Sequence, residues 1–201
     1  IVHNAWKSAE PGILFWDTVT EESIPDCYAD LGFKTVSTNP CGEIPLCPYD
    51  SCRLLAINLF SYVENPFSQE AKFNMPKFKK HVRYAQRIMD DIVDLEMEKI
   101  DAIIKKIEDD PEGLDVKRTE LTLWKKIKQK CMEGRRTGVG ITAEGDMLAA
   151  LNKTYGTDEA LDFSVKVHKT LAIEAYRSSV EMAKDRGSFP VYDSIREEKN
   201  P

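Results

Sequence analysis

The chain has 201 residues, 42% of them hydrophobic and 31% charged, which fits one globular domain or a large piece of one. The net charge of −6, with Lys and Arg spread among the acids, argues against a nucleic-acid-binding protein. No apolar run approaches the roughly 18–20 residues that a membrane helix needs, and the first residues lack a signal-peptide pattern, so we expect no membrane association.

The chain does not start with Met and it ends on a polar stretch, so we expect it to be a segment of a longer protein. Its five cysteines are an odd number for a disulfide scaffold, and a chain of this length does not need one. We therefore expect thiols in a reducing, cytoplasmic setting.

The first third of the chain predicts short and irregular elements. A short amphipathic helix precedes a turn at Pro11-Gly12, and residues 26–32 are expected to be irregular. Residues 39–53 contain Pro40, Gly42, Pro45 and Pro48, which excludes a helix and favours a rigid extended loop. The apolar run 54–60 fits either a buried strand or a short helix.

Helical periodicity dominates from residue 76 onward. Apolar residues recur at helical spacing over 76–109, which predicts one long helix or two nearly continuous ones, closed by Pro111 and Gly113. A second helix is expected to begin at Asp115 as its N-cap and to end at Gly134.

The last third predicts a short strand over 136–141, a helix over 143–151 and a long helix over 157–185. The sequence therefore predicts a helix-rich chain with a few short strands. The expected buried face of the last helix consists of Leu161, Val165, His168, Leu171, Ala172, Ala175 and Val180.

The segment with the clearest chemistry is Asn39-Pro40-Cys41-Gly42-Glu43. Pro40 and Gly42 hold the thiol on a tight, exposed turn, and in an extended chain the side chains of Asn39 and Glu43 project to the same side as Cys41. A carboxylate beside the sulfur disfavours a thiolate, and the local sequence offers no cation to favour one. This pattern indicates hydrogen-atom transfer at sulfur, with the carboxylate handling a hydroxyl proton.

Other interpretations of the cysteines remain open at this point. The segment could be a polar loop with an incidental cysteine. The spacing Cys41-x5-Cys47-x4-Cys52 suggests a zinc site, but paired C-x2-C knuckles and a nearby His are missing, so we expect no metal. Cys47 and Cys131 fit ordinary semi-buried thiols, and His168 fits a core residue.

Residues 37–46, continued by 49–52 and 57–59, resemble the active-site loop of ribonucleotide reductase large chains. Further landmarks follow in the family's order, so the resemblance covers nearly the whole chain. These landmarks are residues 9–17, 135–141, 146–149, 155–156 and 187–190.

The resemblance implies a fold. The family has an α/β barrel of ten strands with the cysteine loop inserted as a central finger. Residues 1–201 would form a single segment of this catalytic barrel domain, with the finger loop at about 37–60 and outer helices at about 76–185.

The resemblance also implies residue roles. The residue matching Cys41 becomes a thiyl radical that removes the 3′ hydrogen of a ribonucleotide, the one matching Glu43 accepts the 3′-hydroxyl proton, and the one matching Asn39 hydrogen-bonds the substrate. Cys52 occupies the position of one of two cysteines that end as a redox-active disulfide. Its partner lies upstream of this segment in the family, and Cys27 is not at that position.

Cofactor and partners follow from the same resemblance. The short spacing from Cys41 to Cys52 is similar to that of the adenosylcobalamin-dependent branch, whose cobalamin-binding residues this segment does not identify. The substrate would be a ribonucleoside diphosphate or triphosphate, the reductant an external dithiol such as thioredoxin, and the assembly a homodimer. Because the second cysteine and the phosphate-binding loop lie elsewhere, we expect the isolated piece to be inactive.

Two alternatives belong to other classes. Gly138-x-Gly140-x-x-Ala143 before a helix resembles a dinucleotide fingerprint of an NAD- or flavin-dependent oxidoreductase, but the preceding residues are polar rather than an apolar strand. A helical interaction module with incidental cysteines would explain the long amphipathic helices but not the proline-rich cysteine loop.

Overall fold

The computed structural model describes residues 1–199 as a mixed α/β, helix-rich chain, which confirms the predicted helix-rich α/β content. No helix within these residues is long and apolar enough to span a membrane. In chain order the elements are α1 (Val2–Ser8), α2 (Trp16–Glu22), a 3-10 helix (Ile24–Leu31), β1 (Ser37–Thr38), β2 (Pro45–Leu46), β3 (Leu54–Asn58), a 3-10 turn (Leu59–Tyr62), β4 (Val63–Glu64), β5 (Lys72–Phe73), α3 (Met75–Asp109), α4 (Leu114–Gly134), β6 (Gly138–Thr142), α5 (Glu144–Ala150), α6 (Asp158–Arg186) and α7 (Ser194–Glu198).

The chain divides into two compact units. The first consists of Ile1–Cys52 together with the described residues from Val191 onward, and it contains the short helices and the antiparallel pair β1–β2. Residues 26–32, expected to be irregular, lie largely in the 3-10 helix, whose backbone is non-helical at Tyr28 (φ −106°, ψ 23°). The helix has a proline in its first turn and ends at Gly32 in a left-handed conformation (φ 85°).

The second unit, Arg53–Pro190, is built on the parallel strand pair β3–β6. Leu54 pairs with Gly138 and Asn58 with Thr142, so the two strands are in register over five residues. The run 54–60 is thus a strand that turns into the 3-10 turn after Asn58. Parallel neighbours require a crossover connection, and here α3 and α4 lie between the two strands in the chain.

One hydrophobic core holds the second unit together. It lies where β3 and the 3-10 turn meet one face of α3, with α5 and α6 completing it. Its fully or nearly fully buried members are Ile57, Leu59, Tyr62, Phe78, Val82, Ala85, Met147, Leu148, Ala160, Val167 and Leu171.

The helix boundaries follow ordinary capping chemistry. Asn74 caps α3 by accepting a hydrogen bond from the Lys77 N–H (2.9 Å), and α3 runs unbroken to Asp109, as one of the two predicted forms. Asp115 is not the N-cap of α4, since the helix begins one residue earlier with Gly113 at that position. Asp115 lies in the first turn, where a carboxylate favours the helix dipole.

The predicted buried face of α6 is largely wrong. Leu161, Val165 and Val180 are 54–64% exposed, and the buried face consists of Ala160, Val167, Leu171, Glu174, Ser178 and Met182. Two of these buried residues, Glu174 and Ser178, are polar. Their burial is possible because Glu174 accepts a hydrogen bond from Arg83 and Ser178 donates one to the Arg83 carbonyl. His168 is likewise exposed, beside Glu144, and not a core residue.

Candidate functional site

The cysteine segment folds as a tight turn between β1 and β2. The N–H of Asn39 donates to the Ile44 carbonyl (3.1 Å), and the N–H of Gly42 donates to the Asn39 carbonyl (3.0 Å). The side-chain oxygen of Asn39 accepts a third bond from the Ile44 N–H (2.9 Å). Gly42 adopts φ 83°, a conformation that glycine reaches without a Cβ penalty, so the turn depends on glycine there.

The turn separates its side chains by exposure. Asn39 is buried (7% exposed), whereas Cys41 and Glu43 are exposed. The segment is therefore not extended, and the expectation that alternation brings Asn39, Cys41 and Glu43 to one side has no basis in the observed backbone. What unites the three residues is the turn itself, which Asn39 closes from inside while the thiol and the carboxylate face outward.

An open groove of about 410 Å³ lies beside the turn, within the first unit. Gly42 and Glu43 form one rim, and Leu14 approaches Gly42 so closely that a Cβ there would lie 3.6 Å from its Cδ2. The remaining lining is mostly apolar. It comprises Ile13, Phe15, Thr18, Val19, Glu22, Ser23 and Pro45.

The Glu43 carboxylate gives this mostly apolar groove one polar edge. Glu43 makes no hydrogen bond or ion pair within residues 1–199, so its carboxylate is available to accept a proton or a hydrogen bond from a ligand. The apolar run 13–16 was not assigned to the site from the sequence. The signal available in the sequence was the apolar character of that run, and in the structure its Ile13 and Phe15 are exposed.

All five cysteines are present as thiols, in three different settings. Cys41 and Cys52 are exposed, Cys47 and Cys131 are buried, and Cys27 is half-buried. Burial raises the pKa of the Cys131 thiol, and burial together with the nearby Glu197 carboxylate raises the pKa of the Cys27 thiol. Cys41 and Cys52 are therefore the two exposed cysteines among the described residues.

Immediately after Cys52 the chain is anchored by Arg53. Its guanidinium is buried, pairs with Glu96 of α3 and donates to the Arg136 carbonyl (2.8 Å) just before β6. A buried charge with two partners fixes the backbone at the start of β3. No sequence pattern pointed to this residue.

Among the described residues, one group of side chains has the spacing that metal ligands need. It consists of Asp90, Asp91 and Asp94 of α3. Their carboxylates bind the guanidinium groups of Arg135 and Arg186 at 2.6–2.9 Å. The cluster thus joins α3 to the C-terminal ends of α4 and α6, and we assign no metal to it.

The dinucleotide alternative is not supported by the backbone. Gly138 and Gly140 lie inside β6, where they pair with Leu54 and Ala56 of β3. A dinucleotide fingerprint needs its glycines in the turn after the strand, where the backbone approaches a pyrophosphate.

Comparison with known proteins gives one family. The model of the "Ribonucleotide reductase, barrel domain" family matches residues 1–200. The chain is 32% identical over 199 residues to a vitamin B12-dependent ribonucleoside-diphosphate reductase of Thermoplasma acidophilum, covering 99% of this chain and 22% of that protein.

Two further relatives extend the comparison. A vitamin B12-dependent ribonucleoside-diphosphate reductase of Mycobacterium tuberculosis is 25% identical over 193 residues, covering 96% of this chain and 22% of the relative. The ribonucleoside-diphosphate reductase subunit alpha of Chlamydia pneumoniae is 27% identical over 195 residues, covering 95% of this chain and 16% of the relative. The chain therefore spans about a fifth of the length of these curated relatives.

Proposed function

The chain belongs to the ribonucleotide reductase barrel-domain family, and from that membership we propose that it forms part of a catalytic chain that reduces ribonucleotides to deoxyribonucleotides by thiyl-radical chemistry. The observation that carries the proposal is the turn that exposes the Cys41 thiol two residues from the exposed Glu43 carboxylate, whose side chain borders an open groove. Such a reaction serves deoxyribonucleotide biosynthesis and so DNA synthesis.

In the proposed reaction, a thiyl radical on Cys41 removes the 3′ hydrogen atom of the ribose, so that an S–H bond forms as the C–H bond breaks. Glu43 accepts the 3′-hydroxyl proton, and the 2′ hydroxyl gains a proton and leaves as water. Two thiols, one of them Cys52, supply two electrons and two protons and become a disulfide, and Cys41 returns its hydrogen atom to the 3′ carbon. The balance is one ribonucleotide and two thiols giving one deoxyribonucleotide, one disulfide and one water.

Asn39 has two tasks in this proposal. Its side-chain oxygen is used inside the turn, where it accepts the Ile44 N–H. Its side-chain nitrogen Nδ2 makes no hydrogen bond within residues 1–199, which leaves a donor for a substrate oxygen. Asn39 would in this way both close the turn and hydrogen-bond the substrate.

Adenosylcobalamin is the radical source that we propose for the complete chain, since the relatives from Thermoplasma acidophilum and Mycobacterium tuberculosis are named vitamin B12-dependent. Drug-sized ligands occupy pockets of roughly 300–1,000 Å³, and cobalamin is larger than such ligands. The groove of about 410 Å³ does not fit the whole cofactor, so we assign no cobalamin contact and no step through it to these residues.

The remaining partners are proposals of the same kind. The substrate is a ribonucleoside diphosphate or triphosphate, the reductant a thioredoxin-type dithiol, and the enzyme a cytoplasmic homodimer. We place all 201 residues in one segment of a ten-stranded catalytic barrel. In this arrangement the Cys41 hairpin belongs to a finger loop at about 37–60, and the helices at about 76–185 lie outside the barrel.

The test is Cys41→Ser in the complete reductase, with Cys27→Ser as the matched control. We expect the first change to lower ribonucleotide turnover by on the order of a thousandfold or more, because oxygen cannot replace sulfur as the hydrogen-atom carrier. We expect the second to leave turnover unchanged, because Cys27 lies in the 3-10 helix, outside the Cys41 turn, and the proposed reaction does not use its thiol. Intact turnover in Cys41→Ser would contradict the proposal and favour a helical interaction module.

A further inference from the structure

The Cys41 turn connects two very short antiparallel strands. β1 and β2 contribute two residues each, with Ser37 opposite Leu46 and Thr38 opposite Pro45. An isolated two-stranded hairpin is marginally stable in water even when it is longer than this. Something outside the ladder must therefore hold the turn in place.

The incoming end is held by a carboxylate. Asp26 of the 3-10 helix accepts the Thr35 N–H at Oδ1 (3.0 Å) and the Thr35 hydroxyl at Oδ2 (2.5 Å). The Thr35 hydroxyl also lies 3.2 Å from the Ser23 hydroxyl, and both residues are buried, at 2% and 7% exposed. Hydrogen bonds to an ionised acceptor are stronger than neutral ones, so this pair fixes both the backbone and the side chain of Thr35.

The outgoing end is held in the same way. Cys47, which follows β2 and is buried, points its N–H and its thiol at one oxygen of Asp50, at 3.4 and 3.5 Å. The Asp50 N–H donates back to the Cys47 carbonyl (3.3 Å). Cys47, the loop cysteine that the proposed reaction does not use, thus acts as a structural hydrogen-bond donor.

We propose that Asp26 and Thr35 are positioning residues for Cys41: the Asp26 carboxylate sets the place and orientation of the hairpin that presents the thiol to the substrate. This inference rests on the proposed function. Thr35 is 2% exposed and cannot touch a substrate, so it acts only through the hairpin. Ser23, which contacts the Thr35 hydroxyl, also lines the groove that Glu43 borders, so the same contacts shape the groove wall.

The 3-10 helix that carries Asp26 is itself anchored. The Tyr28 hydroxyl donates to Glu197 of α7 (2.7 Å), and Arg196 of α7 binds both carboxylate oxygens of Asp30 (2.6 and 2.9 Å). The position of Asp26 is therefore held by the contacts between the 3-10 helix and α7, independently of the hairpin. This bracing is what allows one carboxylate to determine where the turn lies.

The test compares Thr35→Val with Thr35→Ser in the complete reductase. Valine keeps the β-branched shape and the backbone N–H but removes the hydroxyl donor to Asp26, whereas serine keeps that donor. We expect Thr35→Val to lower kcat by about tenfold or more with KM for the nucleotide nearly unchanged, because small displacements of a reacting group cost rate. We expect Thr35→Ser to restore most of the loss.

A second readout does not depend on activity. Iodoacetamide labelling, followed by mass spectrometry, reports each thiol separately. In Thr35→Val we expect faster labelling of Cys47, which is buried where the hairpin ends, while Cys41 and Cys52, which are already exposed, and buried Cys131 keep their wild-type rates. A merely destabilised protein would instead label Cys131 faster in parallel with the others.

The outcomes separate the two proposals. Unchanged labelling of Cys47, a parallel rise that includes Cys131, or an unchanged kcat when Cys41→Ser is inactive would each overturn the positioning role. Intact turnover in Cys41→Ser would overturn the proposed function instead. In that case the labelling pattern would still decide whether Asp26 and Thr35 hold the turn.

Discussion

Gly42 has the left-handed conformation that the Cys41 turn requires, and the chain offers a matched glycine at which to measure the cost of replacing it. Gly42 and Gly156 have nearly the same left-handed φ, 83° and 84°. A Cβ at Gly42 would meet only Leu14 at 3.6 Å, and one at Gly156 would meet nothing within 4 Å. Replacing either by alanine therefore adds backbone strain with little steric clash.

We expect Gly42→Ala and Gly156→Ala to cost a similar free energy of unfolding, roughly 1–2 kcal/mol, in chemical denaturation. Only Gly42→Ala should lower turnover of the complete reductase, by about tenfold, because only that turn presents Cys41. Equal turnover in the two variants would show that the left-handed turn does not matter for the chemistry.

At the residue scale, the sequence identified the segment but not its geometry. Cys41, Glu43 and Asn39 stand out because a reactive sulfur, a carboxylate and an amide lie within five residues. Their arrangement depends on the Asn39 bonds across the turn, which an extended-chain argument does not contain. The Asp26–Thr35 contact could not be predicted either, because it requires knowing how the 3-10 helix turns back toward the hairpin.

At the element scale, the pairing of α3 with α6 depends on a buried carboxylate. Glu174 of α6 is 3% exposed and accepts hydrogen bonds from Arg83 of α3 (2.6 Å) and from Arg177 of its own helix (2.9 Å). The Arg83 hydrogen bond lowers the pKa of Glu174 although burial opposes it. The carboxylate is thus ionised more readily in the folded chain than in the unfolded one.

This shift gives a pH dependence of definite sign. A lowered folded-state pKa means that the stabilisation is fully present above the unfolded glutamate pKa, about 4.3, and is lost as the pH falls through the lower folded value. In denaturation measured from about pH 6 to pH 3, we expect Glu174→Gln to lose less stability on acidification than the wild type does.

The control for that experiment is Glu181→Gln. Glu181 also pairs with Arg83, at 3.3 Å, but its side chain is 60% exposed. Exposed ion pairs contribute little to stability, so this variant should keep the wild-type pH slope. If both variants change the slope equally, the burial of Glu174 is not the cause.

Element prediction succeeded where apolar periodicity alone decides burial. The unbroken helix α3 and the end of α4 at Gly134 agree with the sequence pattern. The buried face of α6 could not be predicted, since it includes Glu174 and Ser178, whose burial depends on partners on another helix. The rule that apolar residues face inward fails when a buried ion pair occupies the interface.

At the scale of the whole molecule, the second unit has the parts of a parallel α/β architecture. A parallel pair of strands with helices as the connection is the repeating unit from which parallel barrels are built. Helix-rich content with few strands was predicted and is observed. How these strands join the rest of a barrel could not be predicted from this chain, because it spans about a fifth of its curated relatives.

The electron balance of the proposed reaction leads to the last prediction. Reduction of one ribonucleotide consumes two thiols, and Cys52 supplies one of them in our proposal. Of the other described thiols, Cys41 carries the radical and Cys47 and Cys131 are buried. Burial also raises the pKa of the Cys27 thiol, which makes it a poor source of thiolate.

We therefore expect the 201-residue chain, folded as judged by circular dichroism, to form no deoxyribonucleotide from any ribonucleoside diphosphate or triphosphate with adenosylcobalamin and a dithiol present. The complete reductase, assayed in parallel, is the positive control. Measurable turnover by the shorter chain would mean that it contains a sufficient thiol pair. Cys27→Ser in that chain would then show whether Cys27 is the second thiol, in place of a cysteine elsewhere in the complete protein.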